Sequence, residues 1–471
     1  MAEVTVIKRA CAISPLKSST PLGAALAYLG VEGAVPLFHG SQGCTSFALV
    51  LAVRHFKEAI PLQTTAMNEA ATVLGGAENL EQALVNVAER MKPKFIGVAS
   101  TALVETRGED FEGELSLIRQ RCRQLDGVKI AFASTPDFSG ALEEGWAAAT
   151  CGVVSALVAP AASGAGPAEP VGPGRGSSAL VPINLLPGVH QTPADIDALR
   201  ELCELLGLSP TILPDISRSL DGSVPDEYVA TSLGGAPLAA IAQMGHARHT
   251  VAIGEHMRAP AALLHQRTSV PYTVLPTVTG LGASDALVRC LMDIGGRQAP
   301  PRLQRERSQL LDAMLDCHFW FSGRKVAIAS DPDLLLSLAQ LFSSLGAEVV
   351  VAVASTKGSG SLPAVPCPQV VVGDLQELED RARVAEVDLL VTHSHGRLAA
   401  QRLDVPLFRV GFPIFDRLGV ADRMWVGYRG TRRLMYELAN IFMAEGHSPQ
   451  PQDVGAEDPR AEPWEARYGH S

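Results

Sequence analysis

Residues 38–56 read FHGSQGCTSFALVLAVRHF and set one cysteine, Cys44, between His39 and a run of apolar side chains. A thiol does chemistry as its thiolate, either as a nucleophile or as a metal ligand. The free N–H groups and dipole at a helix N-terminus favour that form. A helix is expected to begin at about Thr45, which puts Cys44 beside such a terminus. Gly40 and Gly43 supply residues for tight backbone geometry. Three readings of Cys44 stand: a buried structural thiol, a nucleophile with His39 as its base, or a metal ligand. An iron–sulfur cubane takes about four protein ligands, and no CxxC or neighbouring thiol occurs here. If Cys44 binds a cluster, the remaining ligands come largely from another chain and the cluster lies at a subunit interface.

Other candidates have plainer explanations. His393 and His395 in THSHG are two residues apart after an apolar run, without further ligands nearby, so loop hydrogen bonding is expected. Asp110 in RGED stands where a helix begins and reads as an N-cap. TGLGASDAL offers Gly280 and Gly282 but has Asp285 at the third glycine position of a dinucleotide fingerprint. No GxxxxGK[ST] occurs, which excludes a P-loop.

The elements that must position Cys44 alternate between strand and helix. AVPLF precedes the helix TSFALVLAVRHF, FIGVAS precedes FEGELSLIRQRCRQL, and VKIAFAS follows. Such alternation predicts parallel sheets with right-handed crossovers. LVPINLLPG, TVAIGEH and YTVLPTVTG are strand candidates of a second block. Its helix TPADIDALRELCELLG has Thr192 as N-cap, Pro193 in the first turn, Asp195 completing a capping box, and Ile196, Leu199, Cys203 and Leu206 on one face. RKVAIAS, AEVVVAVAS, QVVVGD and DLLVTHS form a third block. The fold class expected is α/β, with three Rossmann-like, doubly wound domains built on parallel sheets. The boundaries expected are residues 1–162, 179–320 and 321–420. A Gly/Pro-rich linker occupies 163–178, a helical segment that packs back occupies 421–446, and a mobile tail occupies 447–471.

With 471 residues, the chain is long enough for several cores, and its 47% apolar and 5% aromatic content suits layered α/β domains. The net charge of −11 argues against nucleic acid or an anionic membrane surface. The Ala/Gly-rich stretch from Gly145 reads as a buried helix rather than a membrane span. The N-terminus lacks the apolar core of a signal peptide, and the eight cysteines are scattered. A reducing cytoplasm is therefore expected, with most thiols serving as small buried hydrophobes.

The segment PLGAALAYLGVEGAVPLFHGSQGCTSFALVLAVRHFKEAIPLQTTAMNEAATVLGG resembles the nitrogenase component 1 family. The resemblance continues through IGVASTALVETRGED, LPDISRSLDG, LLDAMLDCHFWFSGRKVAIASDPDLLL and LFRVGFPIFDRLG. It spans nearly the whole chain and implies three Rossmann-like domains. Within the family it points to the β-type subunit of the scaffold on which the nitrogenase iron–molybdenum cofactor is matured. The resemblance implies that Cys44 ligates a [4Fe–4S] cluster shared with a NifE-type subunit, which supplies three further cysteines in an α2β2 heterotetramer. Gly40 and Gly43 would give the cluster close backbone approach, with His39 and Ser41 as neighbouring polar groups, and no catalytic residue is assigned. Implied partners are the Fe protein NifH, NifB as donor of the cofactor precursor, and apo-nitrogenase as acceptor, with the precursor held mainly by the NifE-type subunit. The catalytic β subunits of the family hold a larger cluster with two more cysteines, and Leu62 and Ala102 read as the corresponding places here. A protochlorophyllide reductase B-type subunit is a further alternative within the family. An iron-free multidomain transferase is the alternative outside it.

Overall fold

A computed structural model describes residues 1–7, 12–68, 75–106, 108, 110–161, 180–358 and 360–445. The linker at 163–178 and the tail at 447–471 lie outside the described residues. The strands in chain order are β1 (Glu3–Val6), β2 (Ala34–His39), β3 (Gln63–Thr64), β4 (Phe95–Ser100) and β5 (Lys129–Ala133). They continue as β6 (Val181–Leu186), β7 (Leu208–Ile212), β8 (Thr250–Ile253) and β9 (Tyr272–Leu275). The last are β10 (Lys325–Ser330), β11 (Glu348–Ala354), β12 (Gln369–Val372), β13 (Leu389–Thr392) and β14 (Leu407–Arg409).

These strands form three sheets, ordered β3-β2-β4-β5, β7-β6-β8-β9 and β1-β12-β11-β10-β13-β14. Every pairing between them is parallel. In each sheet the chain runs outward on one side of a central strand and then returns to the other side. The switch points therefore lie between β2 and β4, β6 and β8, and β10 and β13. The crevice beyond the strand C-termini at a switch point is where open α/β sheets bind ligands. The central strands are buried along nearly all their length, as apolar runs without alternation require.

The first and second units share a core around the helices Thr20–Leu29 and Leu142–Leu157. All ten residues of the former are buried. Glycine is required where the two cross: a Cβ at Gly145 would lie 1.8 Å from Thr20 O, and one at Gly23 would lie 2.1 Å from Leu142 O. The Ala/Gly content that resembles a membrane span thus serves close helix packing. No described helix is long and apolar enough to cross a membrane. The helix Pro193–Leu205 has the expected cap: Thr192 Oγ1 accepts from Asp195 N at 3.1 Å, and Thr192 N donates to Asp195 Oδ2 at 3.2 Å.

Two placements differ from the sequence reading. Residues 3–6 fall within the span expected for the first unit, yet they pair in register with Gln369–Val372 as the edge strand of the third sheet. A four-residue exposed strand buries too little to choose its neighbour from local pattern. The helix after β2 is Gln42–Phe56, beginning three residues before Thr45. The helix Gly427–Ala444 packs on Pro301–Phe321, with Phe442 edge-on to Phe321 at 5.5 Å between ring centroids.

Candidate cluster-binding site

The switch point of the first sheet is built from the loops after β2 and β4. Parallel pairing sets His39 beside Ser100, so residues 40–44 and 101–106 leave the sheet side by side. Thr101 clamps the first loop: its backbone N–H and its Oγ1 both donate to His39 O at 3.1 Å. Thr65 clamps it from the other flank, where its Oγ1 accepts Gly40 N at 3.1 Å. Met67 N donates to Gly40 O at 2.9 Å. Gly40 has no room for a side chain, since a Cβ there would sit 2.1 Å from Thr101 Oγ1.

Cys44 lies in the first turn of the helix Gln42–Phe56, with Ser41 as extended N-cap. Its thiol is exposed, and the Ser41 hydroxyl is 3.5 Å from its Sγ. Ser41 makes no side-chain cap, so its hydroxyl is left to the sulfur. A Cβ at Gly43 would meet nothing within 4 Å, which makes this glycine dispensable to the chain's own packing and leaves open space beside the thiol. The expectation of tight geometry holds for Gly40 and not for Gly43.

His39 does not serve Cys44. Its ring is fully buried, Nδ1 is 3.0 Å from Thr65 Oγ1, and the ring meets Phe111 edge-on at 5.2 Å. Burial lowers its pKa to about 4, so it is neutral at ordinary pH. With no hydrogen bond to the thiol, a Cys–His nucleophilic pair is not formed. His39 is a packing residue of the loop's floor.

The other described cysteines are of a different kind. Cys122, Cys203, Cys317 and Cys367 are buried, and Cys151 and Cys290 partly so. Burial pushes Cys151 up to about 11 and Cys203 up to about 12, which keeps them as protonated thiols. Leu62 does not border the Cys44 loop. It is a core residue preceding β3, and because Gln63 pairs with Leu37 it lies below the strand ends. Ala102 does lie in the loop after β4, one residue beyond the Thr101 that clamps the Cys44 loop. The stronger observation is that the loops at the C-terminal edge of this sheet, residues 40–44, 65–68, 101–106 and 134–141, contain Cys44 and no other cysteine.

The same helix carries exposed apolar side chains: Phe47 at 78%, Val50 at 52% and Val53 at 38%. They follow Cys44 at intervals of three residues and share its helix. Its inward residues Thr45, Ala48, Ala52 and His55 are buried. His55 Nδ1 accepts Ile414 N at 2.9 Å, which ties the helix to the third unit. The sequence reading passed over Phe47, Val50 and Val53 because an apolar run alone does not tell a buried face from a covered one. A hydrophobic residue at both the inward and outward positions of one helix was the available signal.

The remaining sequence candidates are structural. Asp110 caps its helix through Gly113 N at 3.1 Å. His393 accepts from His395 N at 3.3 Å and lies 3.2 Å from Leu16 O through its other nitrogen. Asp285 is held by Arg307 at 2.8 and 2.9 Å and by the Tyr428 hydroxyl at 2.7 Å, so no nucleotide ribose is expected there.

Comparison with known proteins bears on this site. Residues 19–443 match the family described as nitrogenase component 1 type oxidoreductase. The chain belongs to the nitrogenase component 1 family. It is 51% identical over 460 residues to the nitrogenase iron–molybdenum cofactor biosynthesis protein NifN of Mesorhizobium japonicum, covering 98% of this chain and 97% of that one. It is 49% identical to the protein of the same name from Rhodobacter capsulatus, covering 97% and 96%. Among solved structures, a chain of nitrogenase Cp1 at pH 6.5 superposes with a TM-score of 0.86 at 30% identity, covering 96% of this chain and 97% of that one. The family places a metal-cluster function on this fold.

Proposed function

We propose that this chain is the β-type subunit of a NifEN-type scaffold, on which a precursor of the iron–molybdenum cofactor receives molybdenum and homocitrate before transfer to apo-nitrogenase. The observation that carries this reading is Cys44, an exposed thiol in a helix first turn with no second cysteine in the surrounding loops. One thiol is one ligand of about four for a [4Fe–4S] cluster. The other three come from a NifE-type subunit facing it, in an α2β2 heterotetramer. The name borne by relatives at about half identity over nearly the full chain supports the scaffold role.

The residues present fit one corner of such a cluster. Cys44 Sγ is the ligand, and the Ser41 hydroxyl at 3.5 Å is placed to donate to the thiolate and hold its charge. The space beside Gly43 admits a bulky inorganic group. Thr65 and Thr101 fix the loop so that the thiol is held in place before assembly. The partner's cover over Phe47, Val50 and Val53 excludes water from the flank of the site. When bound, the cluster supplies a one-electron relay from the Fe protein NifH, which docks on the paired subunits. NifB delivers the precursor, which is held mainly by the NifE-type subunit, and the whole assembly works in the reducing cytoplasm.

The test is functional. The purified complex, loaded with precursor and given molybdate, homocitrate, Fe protein and reductant, should activate apo-nitrogenase while reducing no dinitrogen itself. Substrate reduction by the complex without an acceptor would instead assign it to the catalytic subunits. Activity of the isolated, iron-free chain would return it to another enzyme class.

A further inference from the structure

Away from Cys44, the switch point of the second sheet presents two histidines: His190 in the loop after β6 and His256 in the turn after β8. Glu143, in the first turn of the helix Leu142–Leu157, reaches the same place from the first unit. One ligand atom from each of Glu143, His190 and His256 lies within 4.8 Å of the other two. Asp333, at the switch point of the third sheet, closes the group. Its Oδ2 is 2.6 Å from His256 Nδ1 and accepts His256 N at 3.0 Å. Glu143, His256 and Asp333 are 1%, 3% and 0% exposed.

The hydrogen bonding here is incomplete. Asp333 N donates to Glu143 Oε1 at 2.9 Å, but Glu143 Oε2, His190 Nδ1 and Asp333 Oδ1 are buried without a partner. Each such atom has given up its hydration without a hydrogen bond in return, which is unfavourable. Asp331 is packed nearby, and among the described residues no Lys or Arg is paired with Glu143, Asp331 or Asp333. No hydrogen bond joins Glu143 to either histidine among the described residues, so the three side chains do not satisfy one another. A cation between them would answer both the charge and the free lone pairs.

We propose that Glu143, His190 and His256 bind a divalent transition-metal ion of the zinc class, with Asp333 holding His256 in place through its Nδ1–H. Two imidazoles and a carboxylate are a donor set for such ions. A carboxylate behind a ligating imidazole fixes the tautomer and turns Nε2 to the metal. That Nε2 now accepts a 3.2 Å bond from Val189 N, and the ion takes over the lone pair. Ligand bonds of about 2.1 Å set ligand atoms roughly 3.4 Å apart, so atoms that now lie within 4.8 Å of one another close in on the ion. Glycines leave the space: a Cβ at Gly188 would lie 2.7 Å from His256 Cε1, and one at Gly254 would lie 2.8 Å from Asp333 Oδ2. On the His190 side of the group is a cavity of about 60 Å³, also lined by Gln191, Asp331 and Trp146, which has room for water. The ion links the first unit to the second directly and to the third through Asp333.

The probe is Zn²⁺ alone, added at one equivalent to the full-length protein after chelation. Zinc content and zinc-edge X-ray absorption are then read for wild type, Glu143→Gln, His190→Gln and Cys44→Ala. The expected result is one zinc per chain in a nitrogen/oxygen shell with two imidazoles. Affinity should fall at least tenfold in Glu143→Gln and His190→Gln and stay unchanged in Cys44→Ala. His190 is partly exposed, so its variant remains informative if Glu143→Gln does not fold. Substoichiometric zinc, sulfur in the shell, or wild-type affinity in a folded Glu143 or His190 variant overturns the proposal.

Discussion

The carboxylate of Asp195 accepts the backbone N–H of Trp425 at 2.6 Å, across 230 residues of sequence. The same oxygen accepts Val426 N at 3.1 Å, while the other oxygen closes the capping box with Thr192 N. One buried side chain thus caps its own helix and holds the segment that leads into the helix Gly427–Ala444.

Asp195→Ala should therefore cost about 3 kcal/mol, because it orphans buried N–H groups and removes a cap. Asp195→Asn keeps one acceptor oxygen and should cost less. Urea denaturation of both variants checks the order, and equal midpoints for wild type and Asp195→Ala would refute it.

The two glycines of the Cys44 loop should behave oppositely. Gly40→Ala drives a methyl into Thr101 Oγ1 and should lower the melting temperature of the isolated chain. Gly43→Ala meets nothing and replaces glycine inside a helix, so it should leave the isolated chain as stable or raise stability by up to about 1 kcal/mol. It should nonetheless lower the iron content of the assembled complex, since the open space is where the cluster approaches. Thermal melts of the chain and iron counts of the complex distinguish the two effects.

Helix Gln42–Phe56 should be a docking face. Phe47→Asp changes an outward side chain that is 78% exposed and should leave the fold intact while weakening capture of the NifE-type subunit at least tenfold. Unchanged co-purification would remove this face from the interface.

His55 supplies a pH dependence. Burial, followed by the charges of Lys57 and Arg423, lowers its pKa to about 3, against about 6.5 unfolded. Below pH 6.5 the unfolded chain takes up a proton that the folded chain refuses. His55 thus loses about 1.4 kcal/mol of stabilising effect per pH unit between 6.5 and the folded value. Asp195 and Asp331, raised by burial to about 6, act in the opposite sense, so the readout is a difference between proteins. His55→Asn should be less stable than wild type at pH 7.5, and the gap should narrow toward pH 5. A constant gap would contradict the assignment.

Much of this architecture is legible in the sequence. Strands such as FIGVAS and KVAIAS are continuous apolar runs because both faces of a parallel sheet are covered, and the Thr192–Asp195 box names its helix start by residue type. The pieces that escape are those whose partners are remote. EVTV at residues 3–6 is exposed at every position and is ordered only by Gln369–Val372. Gln63–Thr64 is two residues long and is held by β2. Cys44 is conspicuous because a lone thiol just after Gly40 and Gly43, at the start of a helix, is a chemically distinctive placement. The Glu143–His190–His256 group carries no spacing signal, since its members come from separate strand ends. What could have pointed to it is a histidine just beyond each of LVPINLLPG and TVAIG, where parallel strands deliver residues to one crevice.

The most direct measurement is iron content and EPR of the anaerobically co-purified complex with a NifE-type subunit, for wild type and Cys44→Ala. About four irons per αβ pair beyond any bound precursor, with a [4Fe–4S] signal lost in the variant while the chains still fold, is the expected result. Full iron and an unchanged signal in Cys44→Ala would contradict the account, because the exposed thiol would then not be the ligand this chain contributes.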